Sequence, residues 1–140
     1  MIAYLDSSVL LREILEQDPK LAEWEVVIGV TSELTRLECL RTIDRVRLNP
    51  AMNAERLTKV TQHTETILGR MDLLQLTPGV LSLAASPFTI PVRTLDAIHL
   101  ASAMLYRSSQ PDDERPIYFA TFDKELADAA RAVNFDVLGA

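Results

Sequence analysis

Cysteine is nearly missing from this chain. The lone Cys39 among 140 residues allows no internal disulfide and no cysteine cluster for a metal, in keeping with a reducing compartment. No Cys/His zinc spacing, Walker loop or G-x-S-x-G elbow is present. Long apolar runs are missing as well, and none approaches the roughly 20 residues that span a bilayer. The opening Met1-Ile2-Ala3-Tyr4-Leu5-Asp6 meets an acid at once, with no basic region ahead of its apolar run, unlike a signal peptide. A cytoplasmic protein without membrane contact is therefore expected. Positive charge is also short: 14 Lys and Arg against 20 Asp and Glu leave a net charge of -6. Broad capture of nucleic acid rests on clustered Lys and Arg, so any such contact here must depend on local arginines, metal and shape.

The rest is ordinary for a globular protein, with 48% hydrophobic and 24% charged residues. A length of 140 residues suits one domain, 1–140, that buries about two thirds of its unfolded surface. A short apolar run predicts a strand over Ile2 to Leu5, followed by a polar turn at Asp6-Ser7-Ser8 and, from the helical spacing of Val9, Leu10, Leu11, Ile14 and Leu15, a helix. Asp18-Pro19 suits the start of a short helix through Trp24, and Val26 to Val30 reads as a strand broken by Gly29. Thr31 and Ser32 are cap candidates for a long helix to about Leu48, with Leu34, Leu37, Leu40 (with Cys39), Ile43 and Val46 as its apolar stripe. After Asn49-Pro50 a second long helix runs from about Asn53 to Leu74, so the two form an antiparallel hairpin. A short strand over Leu73 to Leu76 and a helical turn or two over Val80 to Ala85 follow. Pro87 and Pro91 bracket an extended connection to a helix capped by Thr94 and ending near Tyr106. Ser108 to Pro116, which contains Asp112-Asp113-Glu114, reads as an exposed loop. Strand Ile117 to Ala120, helix Asp123 to Val133 and strand Phe135 to Leu138 close the chain. The expected fold is α/β: a three-layer sandwich whose short, mostly parallel sheet is flanked by helices, the long hairpin among them.

Four acids stand out on that frame. Asp6 and Asp123 each follow a strand, at the rim where open α/β sheets bind ligands. Asp96 falls in the first turn of an otherwise apolar helix, and Glu38 about two turns into its own. Singly, Asp6 and Asp123 read as helix caps, Asp96 as a response to the helix dipole, and Glu38 as a solvated residue or a partner for Arg41. Caps and dipoles do not explain why one topology can gather all of them. Clustered carboxylates in a partly dry cleft must bind protons or cations, and Mg²⁺ or Mn²⁺ prefers oxygen ligands. Such an ion can orient a water and neutralise charge on a phosphodiester. That chemistry is hydrolytic cleavage of a nucleic-acid backbone.

The segments Tyr4-Leu5-Asp6-Ser7-Ser8-Val9-Leu10, Thr31-Ser32-Glu33-Leu34-Thr35-Arg36-Leu37-Glu38, Leu95-Asp96-Ala97-Ile98-His99-Leu100-Ala101 and Ala120-Thr121-Phe122-Asp123-Lys124-Glu125-Leu126 together resemble a PIN domain of the VapC type, nearly end to end. The resemblance implies a Mg²⁺- or Mn²⁺-dependent endoribonuclease, the toxin of a toxin-antitoxin pair. Asp6, Glu38, Asp96 and Asp123 would form its acidic site, Asp6 and Asp96 as direct metal ligands and the other two partly through water. It further implies that Ser8 and Thr121 orient a water or a carboxylate. RNA as substrate, homodimers and a VapB-type antitoxin wrapping the helical region are also implied.

Other residues have plainer readings. Arg41 could contact phosphate or fix the Glu38 carboxylate, and Arg93 could approach substrate or sit on the surface. His99, three residues after Asp96, reads as packing and hydrogen bonding inside rather than as a general base. Trp24, Met104 and Cys39 read as packing residues, and His63 as part of a solvated face. Two other functions compete: a metal-dependent phosphotransferase or phosphatase of another α/β class, weakened by Asp6-Ser7-Ser8 where D-x-D would stand, and a PIN-like scaffold that binds a partner without catalysis.

Overall fold

The computed structural model describes residues 1–111 and 116–140. The acidic Asp112-Asp113-Glu114 of the expected loop lies outside the described residues. At the centre is β1 (Ile2–Leu5), whose alternation sends Ala3 and Leu5 to one face of the sheet and Tyr4 to the other. With β2 (Ile28–Ser32), β3 (Asp72–Leu74), β4 (Ile117–Thr121) and β5 (Val137–Gly139) it forms a five-stranded sheet in the order β3-β2-β1-β4-β5. Every neighbouring pair is parallel, and Tyr4 lies between Val30 and Phe119.

Parallel neighbours require crossovers, which the helices supply. On the Leu5 face, α1 (Ser7–Ile14), α2 (Glu33–Arg47) and α3 (Ala54–Gly69) contribute Val9, Leu10, Ile14, Cys39, Val60 and Ile67 to one core. On the Tyr4 face, α5 (Thr94–Ser109) and α6 (Lys124–Ala132) bring Leu100, Ala103, Leu126, Ala129 and Ala130 against Val30, Phe119 and Phe135. The short α4 (Pro78–Ala84) packs on α5. Tyr4 stacks on Phe119 at 5.2 Å between ring centroids, and Phe119 meets Phe135 at 5.7 Å. The predicted three layers are thus present, with a fully parallel sheet.

Several boundaries depart from the periodicity. Asp18 to Trp24 is not helical; its turns close through Trp24 N–H to Leu21 O and Val26 N–H to Glu23 O. So short a segment does not repay helix nucleation, and burial of Leu21 fixes it instead. β2 starts at Ile28 and carries Thr31 within the strand, where its hydroxyl donates to Leu5 O at 2.6 Å; Ser32 alone caps α2. Gly29 does not break that strand. A Cβ there would collide with Met71 Sδ and stand 3.1 Å from Leu5 Cδ1, so glycine is what lets Met71 close on the sheet. On α2, Leu34 and Cys39 face inward, but Leu37 and Leu40 are 55% and 38% exposed. A stripe read in steps of three rotates about 60° per step off the buried face of a 3.6-residue helix. α3 stops at Gly69, freeing Asp72 to Leu74 for the sheet edge. The N-cap of α5 is Arg93 rather than Thr94, and the helix continues through Ser108 and Ser109.

Candidate active site

The strand order sets the location. From β1 the chain moves outward through β2 to β3, then returns to lay β4 on the opposite side of β1. The crevice of an open parallel sheet lies at that reversal, beyond the carboxyl ends of the two strands. Asp6 follows β1 there, and its N–H extends the pairing by donating to Ala120 O at 3.2 Å.

The Asp6 side chain is 4% exposed and held on both oxygens. Oδ1 accepts from Ser8 Oγ at 2.6 Å and from Val9 N–H at 3.2 Å, and Oδ2 accepts from Thr121 Oγ1 at 2.6 Å. Burial nonetheless pushes its carboxyl above the ordinary range, outweighing these bonds and the influence of His99. The same hydroxyls bind the turn after β4. Thr121 Oγ1 accepts from Asp123 N–H at 3.0 Å, and Ser8 Oγ accepts from Phe122 N–H at 2.9 Å. Two hydroxyls thus staple the loop after β1 to the loop after β4.

Asp123 caps α6, its Oδ1 accepting from Glu125 and Leu126 N–H. Asp6 likewise caps α1, so the plain cap reading of both holds alongside any other role. Asp96 stands half-buried in the first turn of α5. Burial raises its pKa first, then the charges of Asp123 and Asp6, while His99 and Arg93 pull it down. Asp96 therefore feels the charges of both other acids across one rim.

Glu38 is held differently. Its Oε1 lies 2.6 Å from His99 Nε2, at the end of a buried polar chain; the internal hydrogen bonding expected of His99 is present, and its partners Glu38 and Tyr4 are what the sequence does not name. His99 is 2% exposed, its Nδ1 lies 2.8 Å from Tyr4 OH and 3.5 Å from Thr35 Oγ1, and Tyr4 OH donates to Ser32 Oγ at 3.1 Å. Burial drives the Tyr4 phenol upward, so it stays a neutral hydroxyl. The Cys39 thiol is pushed up to about 12 by burial and then by Glu38 and Asp6, and is an inert packing group. The one local clue to the chain is a tyrosine and a histidine inside otherwise apolar segments.

Arg41 pairs with Asp44 at 3.3 Å instead of fixing Glu38, and Arg93 pairs with Glu125 at 3.3 Å across the surface. A cleft of about 550 Å³ opens beside Glu38, bordered by Leu34, Leu37, Arg41, Arg45 and Leu95. A second, of about 410 Å³, lies between α4 and α5 among Leu81, Phe88, Ile90 and Ala97; no acid lines it.

Among the described residues, no three His, Cys, Asp or Glu side chains stand close enough to form a ready-made metal cage. Uncompensated carboxylates repel, and here hydroxyls engage Asp6 while His99 engages Glu38. The donors at the rim are all hard oxygens, the type that suits an ion held by one or two carboxylates plus water. No helix is long and apolar enough to cross a membrane among the described residues.

The PIN domain family model matches residues 3–132, which include both stapled turns. Ribonuclease VapC35 of Mycobacterium tuberculosis is 32% identical over 142 residues, covering 96% of this chain and 94% of that protein. Ribonuclease VapC47 of the same species is 28% identical over 132 residues, covering 94% and 92%. Among solved structures, FitAB bound to an IR36 DNA fragment aligns with a TM-score of 0.67 at 16% identity, over 98% of this chain and 93% of that one. VapBC2 from Rickettsia felis, bound to a DNA fragment from its promoter, gives 0.67 at 10% identity over 98% and 97%. At such identities these two speak for the fold. With the family match covering the reversal of strand order between β1 and β4 and all the rim acids, the chain belongs to the PIN-domain family, on its VapC-type side.

Proposed function

We propose that this protein is a metal-dependent endoribonuclease that hydrolyses RNA phosphodiester bonds, the toxin of a VapBC-type pair. Its partners are a VapB-type antitoxin and a second copy of itself, in the cytoplasm. The observation that carries the reading is Asp6: a carboxylate only 4% exposed, gripped on both oxygens, at a rim where its charge and that of Asp123 disfavour ionisation of Asp96. A protein holds such an arrangement at a cost, and a cation relieves it. The relatives' names, ribonucleases of the VapC type, supply the reaction class.

Asp6 and Asp96 are assigned as the direct ligands of Mg²⁺ or Mn²⁺, with Glu38 and Asp123 reaching it through water. Bound there, the ion supplies charge neutralisation at the phosphate and makes a water more acidic. Ser8 and Thr121 keep Asp6 in one rotamer throughout. Arg41 and Arg45, on the cleft beside Glu38, offer local positive charge to the RNA backbone and so offset the net charge of -6. Exposed Leu37 and Leu95 on the same cleft suit an unstacked base. Hydrolysis adds water at phosphorus and breaks one P–O ester bond, leaving a phosphate on one fragment and a hydroxyl on the other.

Cleavage of RNA by the purified protein is expected to require a divalent ion, to stop with chelator, and to be lost in folded Asp6→Ala and Asp96→Ala variants. Undiminished cleavage by either variant would overturn the assignment. Hydrolysis of small phosphate esters without RNA cleavage would favour the phosphatase class.

A further inference from the structure

We infer that His99, backed by Tyr4, is a positioning residue that turns Glu38 toward the rim by tying down Oε1 and leaving Oε2 as its working oxygen. The inference rests on the endoribonuclease reading and deepens it. Glu38 sits on a face of α2 where Leu37 and Arg41 are open to solvent, and its own side chain is only 26% exposed. A glutamate there is free to swing outward into water, a freedom that ordering must overcome. What holds it is one short contact, Oε1 to His99 Nε2 at 2.6 Å.

An ionised carboxylate only accepts hydrogen bonds, so Nε2 carries a hydrogen aimed at Glu38. The ring cannot turn away, because Nδ1 is engaged 2.8 Å from Tyr4 OH and the imidazole meets the Tyr4 ring edge-on at 5.9 Å. The single Tyr4 hydroxyl hydrogen can go to Ser32 Oγ or to Nδ1, and the two arrangements differ only at the Nδ1 end of the ring. Nε2–H faces Glu38 in both. Tyr4 is itself fixed by stacking on Phe119 in the central strands. The chain Ser32–Tyr4–His99–Glu38 thus runs from the middle of the sheet to the edge of the site, and its last member is an acid assigned to hold water near the metal. Neither His99 nor Tyr4 touches substrate; both act through Glu38. The sequence reading of His99 as an internal packing and hydrogen-bonding residue holds, and the 2.6 Å bond to a carboxylate assigned to the site adds a role that packing alone does not require.

The test compares His99→Phe, which keeps bulk and removes both nitrogens, with His99→Gln, whose amide N–H can reach the place of Nε2–H. With thermal midpoints measured for each, His99→Phe is expected to lower kcat at least tenfold and to raise the Mn²⁺ concentration for half-maximal activity severalfold, with little change in KM for RNA. His99→Gln is expected to recover a substantial part. A readout independent of activity is nitrogen NMR of the two histidines, assigned with His63→Gln. The parent should show a His99 Nε2–H protected from solvent exchange, and Glu38→Ala should abolish that protection while the protein stays folded. Calorimetric Mn²⁺ binding should weaken in His99→Phe and be restored in His99→Gln. Folded His99→Phe with parental kcat and Mn²⁺ affinity, or a His99 ring whose Nε2 carries no hydrogen, would overturn the inference even if Asp6→Ala abolishes cleavage. If the parent itself cleaves no RNA, the enzyme assignment fails, and the NMR and Mn²⁺ measurements still decide the role of His99.

Discussion

Replacing Thr121 with valine removes a hydroxyl from the most constrained point of the rim while keeping a β-branched side chain of similar shape, so no cavity opens. The hydroxyl is buried, donates to Asp6 Oδ2 at 2.6 Å and accepts from Asp123 N–H at 3.0 Å. A buried hydrogen bond to a charged group contributes roughly 1.5–3 kcal/mol and a neutral one about 0.5–1.5 kcal/mol. Thr121→Val is therefore expected to cost about 2–4 kcal/mol near neutral pH. For a domain of this size that corresponds to a fall of roughly 8–15 °C in thermal midpoint. The loss should depend on pH in a defined sense. Burial already raises the folded-state pKa of Asp6, so its contribution to stability is present in full below its unfolded value and is lost as pH rises through the folded one. The Thr121 bond opposes that rise, so deleting it moves the folded pKa higher still. The difference between variant and parent should be smallest in acid, widen as Asp6 ionises in the parent, and level off once both are ionised. Calorimetry or denaturant melts across pH measure this directly. The cycle is completed in an Asp6→Asn background, where the cost of Thr121→Val should shrink by about 1–2 kcal/mol because only neutral bonds remain. A loss under about 0.5 kcal/mol in the parent, or an equal loss in both backgrounds, would refute the claim that Thr121 supports an ionised Asp6.

Asp96 has a raised pKa caused by burial and then by Asp123 and Asp6, so as a charge it detracts from stability as pH rises through its folded value. Asp96→Asn should abolish cleavage yet melt slightly higher than the parent at neutral pH, by under about 1 kcal/mol given its half-exposed position, with the gain vanishing in acid. Mn²⁺ at about ten times its dissociation constant should raise the parent's stability by about 1.4 kcal/mol and should not raise that of Asp96→Asn; equal shifts would count against Asp96 as a ligand. Gly29→Ala pushes a methyl into Met71 and toward Leu5. It should cost about 1–2 kcal/mol, and a smaller cost in a Met71→Ala background, measured by denaturant melts, would trace the clash to that side chain.

What the residues decided by themselves is local. Continuous apolar runs in Ile2–Leu5 and Ile117–Thr121, each followed by an acid that caps the next helix, mark two strand ends and place Asp6 and Asp123 at them. These signals lie within a few residues of one another and depend on backbone geometry that any such segment shares. The buried face of α2 is only partly legible for a related reason: periodicity shows that a helix has an apolar side, and only the partner shows which side, so Leu34 and Cys39 of the apolar stripe face inward while Leu37 and Leu40 are exposed. The ends of β2 and α3 were fixed by pairing, Ile28 with Ile2 and Asp72 with Val30, which no local pattern contains. Strand order is nonlocal as well, and it alone sets β4 against β1 so that Thr121 reaches Asp6 across 115 positions. The same holds for His99, 95 residues from Tyr4 and 61 from Glu38. Hydrogen bonds have a reach of about 3 Å and no regard for sequence separation, so partners that far apart are chosen by the packed sheet and not by the sequence around them.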